Sequence, residues 1–423
     1  LSIYAQKTIF KILLYSFHVP YFLLLLNIMP KLRFLVAPLH WGLGHATRCV
    51  PIIEQLLAWE IEVILASDGA ALALLRVDFP DCKYIELPSY NISYSSNNMT
   101  LNMARQLPRI LCAMRLERLK LVNIIESEKI NAVISDNRYG FFSKKVPTVF
   151  ITHQLHLRVP SRILQAMARK INYKLISRYN FCWLPDVENA LDSLSGELST
   201  AANTPKCLRP KLRYIGSLSR LSLPKEEIKT GSKDFLKDTP FVLCLLSGPE
   251  PQRTKLETIL RAEIMKINEN RDCRDSIFAA YNFLLVSGLQ GESGQWAQVS
   301  DNFYCASYLS AADLSELLPR AAVVVARSGY STLMDCEAVG VRHLLLIPTT
   351  GQTEQEYLAA RLAAQNRAAV AAQSNIDLVK NLALALACDT GFRSGKDGDN
   401  LALQAALREL LELVSGWLVV SAG

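Results

Sequence analysis

From Lys31 onward, short apolar runs alternate with longer segments whose apolar residues recur at three- and four-residue spacing. Leu32 to Ala37 is a run of the first kind. The segment opening near His45, with Pro51-Ile52-Ile53-Glu54-Gln55-Leu56-Leu57, is of the second. Brief apolar runs bounded by turn formers predict strands, and the helical period predicts the crossovers between them. Further strands are predicted at Glu62–Ala66, Lys83–Leu87, Ala132–Ser135, Thr148–Thr152 and Phe181–Leu184. A stretch rich in Ser, Lys and Pro, from Ser217 to Pro240, then interrupts the pattern. It resumes at Phe241–Leu246, Asn282–Val286, Phe303–Ser307, Ala322–Ala326 and His343–Pro348, and an amphipathic helix is predicted over Leu401–Leu413. Such alternation implies two α/β halves with parallel sheets whose C-terminal edges face a cleft, where ligands of open α/β sheets bind. The expected division is a hydrophobic extension (1–29), a first Rossmann-like domain (30–222), a linker (223–240), a second Rossmann-like domain (241–390), and a polar loop, helix and tail (391–423).

The extension carries an apolar stretch, Ile12 to Leu26, which is short for a membrane span and is interrupted by His18 and Pro20. Met29 directly precedes the first strand, so residues 1–28 read as an upstream extension with Met29 as initiator; a membrane anchor is the alternative. With 50% hydrophobic and 20% charged residues in 423, a disordered or low-complexity chain is excluded. The net charge of +7 is too weak and too dispersed for a nucleic-acid-binding protein, yet suits anionic ligands or an anionic membrane face. Ten scattered cysteines without a CxxC pair read as the reduced thiols of a cytosolic protein, with no metal site and no disulfide scaffold.

Two segments carry chemistry. The first, Trp41-Gly42-Leu43-Gly44-His45-Ala46-Thr47-Arg48, turns sharply after the first strand and opens a helix. It lacks the third glycine of a dinucleotide fingerprint, but a histidine at its mouth is a natural proton acceptor near neutral pH. The second runs from Val323 to Asp335 as a buried strand, a small-residue turn and a helix start. That turn would let a phosphate approach backbone N–H groups, and an acid one helical turn further on can accept ribose hydroxyls.

The run Arg327-Ser328-Gly329-x-x-Thr332-x-x-Asp335, with the loop Gln352-Thr353-Glu354-Gln355-Glu356 after it, resembles the donor-binding signature of family 28 glycosyltransferases. Those include the peptidoglycan N-acetylglucosaminyltransferase MurG and plant galactolipid synthases. Trp41 to Arg48, Ser135 to Gly140, Thr152-His153-Gln154 and Ser247 to Arg253 are similar to a bacterial group of uncharacterised MurG-like members, and the resemblance covers about Lys31 to Arg367. It implies a GT-B fold, with the nucleotide-sugar donor held mainly by the second domain. Asp335 would hold the ribose, in place of the relatives' Glu. Ser328, Gly329, Ser331 and Thr332 would line the diphosphate, and Gly44 and Arg327 would lie in the same donor site. Gln355 and Glu356 would face the sugar where the relatives carry a Gln pair. The loop at Tyr308 and Leu309 would read the base through backbone contacts, and Ser247, Gly248 and Arg253 would join the donor site, where the arginine cation would offset diphosphate charge.

On the acceptor side Asp136 ends a strand and so reaches the cleft, beside Asn137 and Arg138; His153 and His156 follow another strand end. The segment Leu157–Tyr179 bears Arg158, Arg162, Arg169, Lys170, Lys174 and Arg178 and no acid, the pattern of an anionic membrane surface or acceptor contact. The expected chemistry is an inverting, cofactor- and metal-independent transfer of a hexosyl group, from a UDP-linked donor to a glycan or lipid hydroxyl. His45 is the first choice of base and Asp136 the second. The alternatives are a UDP-N-acetylglucosamine 2-epimerase-like isomerase, drawing on Asp136, Glu354 and Glu356, and an inactive nucleotide-sugar-binding protein. The expected location is cytoplasmic, peripheral at the inner membrane face.

Overall fold

The computed structural model describes residues 31–90, 99–159, 161–202, 204–221, 239–269, 276–289, 293–388, 392 and 398–421. The expectations for residues 1–29, most of the linker and most of the loop at 391–397 lie outside them. The chain order is β1 (Arg33–Pro38), α1 (Gly44–Ala58), β2 (Glu62–Ser67), α2 (Gly69–Asp78), β3 (Lys83–Glu86), α3 (Met99–Ser127), β4 (Ala132–Asp136), β5 (Thr148–Ile151), α4 (Arg162–Ile176), β6 (Phe181–Leu184) and β7 (Leu212–Tyr214). The second half contains β8 (Phe241–Leu245), α5 (Gln252–Glu269), β9 (Asn282–Val286), β10 (Ala297–Ser300), β11 (Phe303–Ala306), α6 (Ala311–Arg320), β12 (Val323–Ala326), α7 (Tyr330–Ala338), β13 (Leu344–Leu346), α8 (Thr353–Ala364), β14 (Ala369–Val370), α9 (Leu378–Leu386) and α10 (Gly398–Ser421).

The first sheet has the order β3-β2-β1-β4-β5-β6-β7 and is parallel throughout. Its strands are nearly unbroken apolar runs because both faces are covered, the rule for parallel sheets. Phe34 and Val36 pack with α1 residues Ile52, Ile53 and Leu56 on one face, while Leu35 and Ala37 pack with α3 residues Leu121, Ile124 and Ile125 on the other. The strand order reverses between β1 and β4, whose register sets Pro38 opposite Asp136. This is the switch point where a crevice opens between helices leaving the two faces.

The second sheet has the order β10-β11-β9-β8-β12-β13-β14, with β10 its antiparallel edge. Leu333 and Met334 of α7 and Leu358 of α8 cover one face, and Leu256 and Leu260 of α5 with Leu382 of α9 cover the other. Every strand predicted from the apolar runs is present, with ends shifted by at most two residues. The unpredicted strands β7, β10 and β14 are short edges, and only edge positions tolerate so little apolar signal.

The last helix exceeds its predicted span and docks on the first lobe. Leu403, Ala406, Leu407, Leu410, Leu411 and Val414 join the cluster of Phe34, Ile52, Leu56 and Trp183. Arg213 of β7 grips Glu409 through two nitrogens, Nε at 2.6 Å and Nη2 at 2.5 Å. Leu407 is fully buried there, so Leu407→Ala is expected to lower the urea-unfolding free energy of the first lobe by about 2–5 kcal/mol. A loss below about 0.5 kcal/mol would show that this docking contributes little.

Candidate active site

The turn after β1 rises at the switch point. Gly42 takes φ +86°, which reverses the chain, and α1 starts two residues later. His45 and Arg48 are one turn apart on α1 and therefore share a face. That face points at Asp136, the last residue of β4: His45 Nδ1 lies 2.8 Å from Asp136 Oδ1. Arg48 donates to the same carboxylate in bidentate fashion, through Nε to Oδ2 and Nη2 to Oδ1. Its Nη1 lies 3.0 Å from His153 Nδ1, and Nη2 lies 2.8 Å from His45 Nδ1. Asp136 and Arg48 are wholly buried, whereas 13% of the His45 side chain stays exposed.

These charges decide the protonation states. Burial alone would raise the Asp136 pKa, but the Arg48 guanidinium, helped by His45, brings it down to about 2, so it is ionised throughout the physiological range. Burial lowers the His45 pKa below 6.5; Asp136 pulls it up, and Arg48 and His153 push it down again. His45 is thus a neutral imidazole near pH 7. In the tautomer that donates Nδ1–H to Asp136, the Nε2 lone pair is available to take a proton.

The second lobe closes over this cluster. Ser331, at the start of α7, donates its hydroxyl to the Gly44 carbonyl at 3.1 Å. A Cβ at Gly44 would sit 2.5 Å from that hydroxyl oxygen, so the approach of α7 to α1 depends on glycine there. The Tyr330 ring stacks on His153 with centroids 4.2 Å apart, and its hydroxyl donates to the Pro185 carbonyl at 2.5 Å. Glu354, in the first turn of α8, places Oε1 2.7 Å from His153 Nε2 and accepts from Gln154 Nε2 at its other oxygen.

The remaining expected site residues divide into three groups. Gly329, Ser331 and Thr332 form the α7 N-terminus opposite Gly44, with Gly329 as its N-cap and no side-chain cap on the first N–H groups. Asp335 lies further along α7 and accepts from Ser219 Oγ at 2.6 Å; burial pushes its pKa up to about 6 against the pull of Ser219 and Arg220. Ser247 and Gly248 are exposed beyond the end of β8.

A second group is committed to the scaffold. Ser328 donates to the Gln355 carbonyl at 2.7 Å, and Gln355 Oε1 accepts from the Thr349 N–H at 2.9 Å. Arg327 is fully buried and donates to the carbonyls of Ile347 and Gln252, burial lowering its pKa to about 10. Arg253 is held between Glu250 and Glu257 and donates to the Ser287 carbonyl. Leu309 is core. Arg138, expected on the acceptor side, is instead buried between Glu117 and Asp68 and donates to the Pro38 carbonyl. Desolvation of each cation is met by protein carboxylates or carbonyls, so neither Arg138 nor Arg253 offers a free charge to a ligand.

In the third group, Glu356 is exposed and accepts from the Gly351 N–H at 2.8 Å, so Glu354 and not Glu356 is the α8 acid that meets the first lobe. Asn137, with φ +56°, turns the chain just after Asp136, and His156 pairs with Tyr173 and the Thr200 carbonyl, away from the cluster. The expectations gave no role to Arg48 or Tyr330 and considered Glu354 only for an isomerase. The spacing of His45 and Arg48 on one helix face was the available signal. Among the described residues, no group of three or more His, Cys, Asp or Glu side chains is placed to hold a metal ion.

Residues 264–389 match the glycosyltransferase family 28 C-terminal domain. An uncharacterized glycosyltransferase of Methanosarcina mazei is 22% identical over 342 residues, 75% of this chain and 80% of the relative. The calicheamicin glycosyltransferase CalG4 superposes with a TM-score of 0.59 at 11% identity, over 93% of this chain and all of that one. A putative UDP-N-acetylglucosamine 2-epimerase from Listeria monocytogenes reaches a TM-score of 0.52 at 12% identity, over 90% and 95% of the two chains.

The raised Asp335 pKa has a consequence for stability. A carboxyl at about 6 when folded and 3.8 when unfolded loses stability as pH climbs through that interval, because the unfolded chain ionises first. Asp335→Asn should therefore raise the melting temperature at pH 7.5, by the equivalent of about 1–2 kcal/mol, and leave it nearly unchanged at pH 4. A thermal scan showing equal shifts at both pH values would contradict this assignment. The two lobes, the second containing the segment that matches the family 28 C-terminal domain, give this chain the GT-B glycosyltransferase fold.

Proposed function

We propose that the protein transfers a hexosyl group from a nucleotide diphosphate sugar, most simply a UDP-sugar, to an acceptor hydroxyl with inversion and without a metal. The observation that carries this reading is the His45–Asp136 pair at the switch point of one lobe, facing the uncapped α7 N-terminus of the other across the Gly44–Ser331 contact. In this mechanism the acceptor O–H proton passes to His45 Nε2 while the oxygen attacks the anomeric carbon. The bond from that carbon to the diphosphate breaks, and the leaving oxygen takes the electron pair. Asp136 orients the imidazole and favours the imidazolium that forms. The N–H groups of Gly329, Ser331 and Thr332, at the positive end of α7, meet the developing diphosphate charge. Asp335 would accept the ribose hydroxyls once Ser219 gives way, and Ser247 and Gly248 would border the diphosphate.

An epimerase shares the fold but needs acids around the sugar for proton abstraction. Here Asp136 and Glu354 are both engaged with cations or imidazoles, which favours transfer. UDP release from a panel of uridine, thymidine and guanosine diphosphate sugars, with and without acceptors, tests the reading. His45→Ala is expected to lower kcat by about 10²–10⁴-fold, and Asp335→Ala to raise the donor KM. The acid limb of kcat/KM should lie below the free imidazole value of 6.5, since burial disfavours imidazolium. Unchanged turnover in both variants would refute the site, and NMR detection of an epimerised sugar without acceptor would replace transfer by isomerisation.

We also propose a peripheral contact of the first lobe with anionic lipid. Ile163, Leu164, Met167 and Ile171 of α4 are exposed beside Arg162, Lys170 and Lys174, and no acid lies on the helix. No helix among the described residues is long and apolar enough to cross a membrane. A surface of this kind binds by partial insertion and charge attraction. Co-sedimentation with vesicles containing phosphatidylglycerol should fall several-fold in Lys170→Glu/Lys174→Glu and in 0.5 M salt; equal sedimentation with neutral vesicles would overturn the contact.

A further inference from the structure

The cluster around His45 does not end at the lobe boundary. Arg48 Nη1 donates to His153 Nδ1 at 3.0 Å, which leaves the His153 proton on Nε2. That N–H faces Glu354 Oε1 at 2.7 Å. A guanidinium on one ring nitrogen and a carboxylate on the other thus fix the tautomer and tilt of His153, and Tyr330 of the second lobe holds the ring plane by stacking. The chain of partners therefore runs His45, Asp136, Arg48, His153, Glu354, across three elements of the first lobe to the first turn of α8.

The charge balance along this chain depends on lobe docking. With the lobes together, Arg48 has two carboxylates near it, Asp136 directly and Glu354 through His153. Withdraw α8, and Arg48 keeps Asp136 alone while His153 Nε2–H loses its acceptor. The groups acting on His45 are Asp136, Arg48 and His153, and the Glu354 carboxylate is in turn favoured by His153, with His45 and Arg48 beyond it. Glu354 sits where a change in lobe docking would be felt at the base without touching the base itself.

We propose that Glu354 is a positioning residue which, brought up by lobe docking, acts on His45 through His153 and Arg48 and completes the base only in the closed form. This rests on the reading of His45 as general base. Binding of a donor between the lobes then does more than hold a substrate: it secures the closure that sets the imidazole. Proton acceptance is tied to a closed, occupied cleft, which limits wasteful attack by water on the sugar.

The test is an NMR titration of the His45 ring, assigned with His45→Gln, in the intact protein and in Glu354→Gln, Glu354→Asp and His153→Gln. Removing the Glu354 charge should lower the His45 midpoint by roughly half a pH unit, the scale of one formal charge acting past an intervening residue. Glu354→Asp should restore most of the shift. The acid limb of kcat should move down with the midpoint, kcat on the plateau above that limb should fall several-fold as the imidazole loses its set orientation, and the donor KM should change less than twofold. His153→Gln, which keeps the Glu354 charge but breaks the relay, should lower kcat comparably. An unmoved His45 midpoint in Glu354→Gln overturns the inference, as does a raised donor KM with an unmoved acid limb, which would make Glu354 a direct donor contact. Should no sugar nucleotide be turned over while the midpoint still moves, the relay stands and the transferase reading falls.

Discussion

A single carboxylate organises the first lobe's contribution to the cleft. Asp136 has no exposure to water, and an ion in that position costs several kcal/mol unless it is paired and hydrogen-bonded. It is satisfied from two sides, by the bidentate guanidinium of Arg48 and by His45. Topology makes this meeting unavoidable. Pro38 and Asp136 are register partners, and the Leu39 N–H donates to the Asp136 carbonyl at 2.9 Å, so the glycine turn after β1 must pass over the end of β4. A helix begun from that turn points its first face at Asp136, where residues three apart supply the imidazole and the guanidinium.

The same pairing explains why the imidazole is neutral although a carboxylate touches it. An isolated Asp–His pair favours imidazolium. Here Arg48 already balances the carboxylate and brings its own positive charge within hydrogen-bond distance of Nδ1. Burial then decides the matter in favour of the uncharged ring. Without Arg48, Asp136 would be a buried carboxylate short of partners; without Asp136, Arg48 would be a buried cation among imidazoles. The pair is one unit, and His45 borrows both its orientation and its protonation state from it.

The architecture was legible because buried parallel strands must be apolar on both faces, and runs such as Val323-Val324-Val325-Ala326 cannot be mistaken for loops. His45 and Asp136 were legible as candidates because each follows or ends a strand at the edge where such sheets bind ligands. Their contact spans 91 residues of sequence, and that of His153 with Glu354 spans 201, so no local pattern could reveal either pairing. The arginines misled for a related reason. A basic residue in a ligand-binding motif looks available, and only the fold discloses that Glu250 and Glu257 hold Arg253, or that carbonyl oxygens absorb Arg327. The acid one place before the Gln355-Glu356 pair reaches the first lobe because α8 opens with that turn towards His153, a matter of helix phase that the motif alone leaves unset.

That fate of the arginines bears on how a diphosphate could depart. Arg138, Arg253 and Arg48 are each matched by carboxylates, and Arg327 by carbonyl dipoles, so none brings an uncommitted cation to the cleft. What remains beside the Gly44–Ser331 contact is the start of α7, whose N-cap is Gly329 and whose first N–H groups carry the partial positive charge of the helix. Such groups are fixed in place before the reaction, need no proton and move little as charge develops, so they favour the transition state over the bound donor. The division of labour in the proposed transfer follows: one lobe spends its ionised groups on tuning a neutral base, and the other meets the leaving charge with backbone alone.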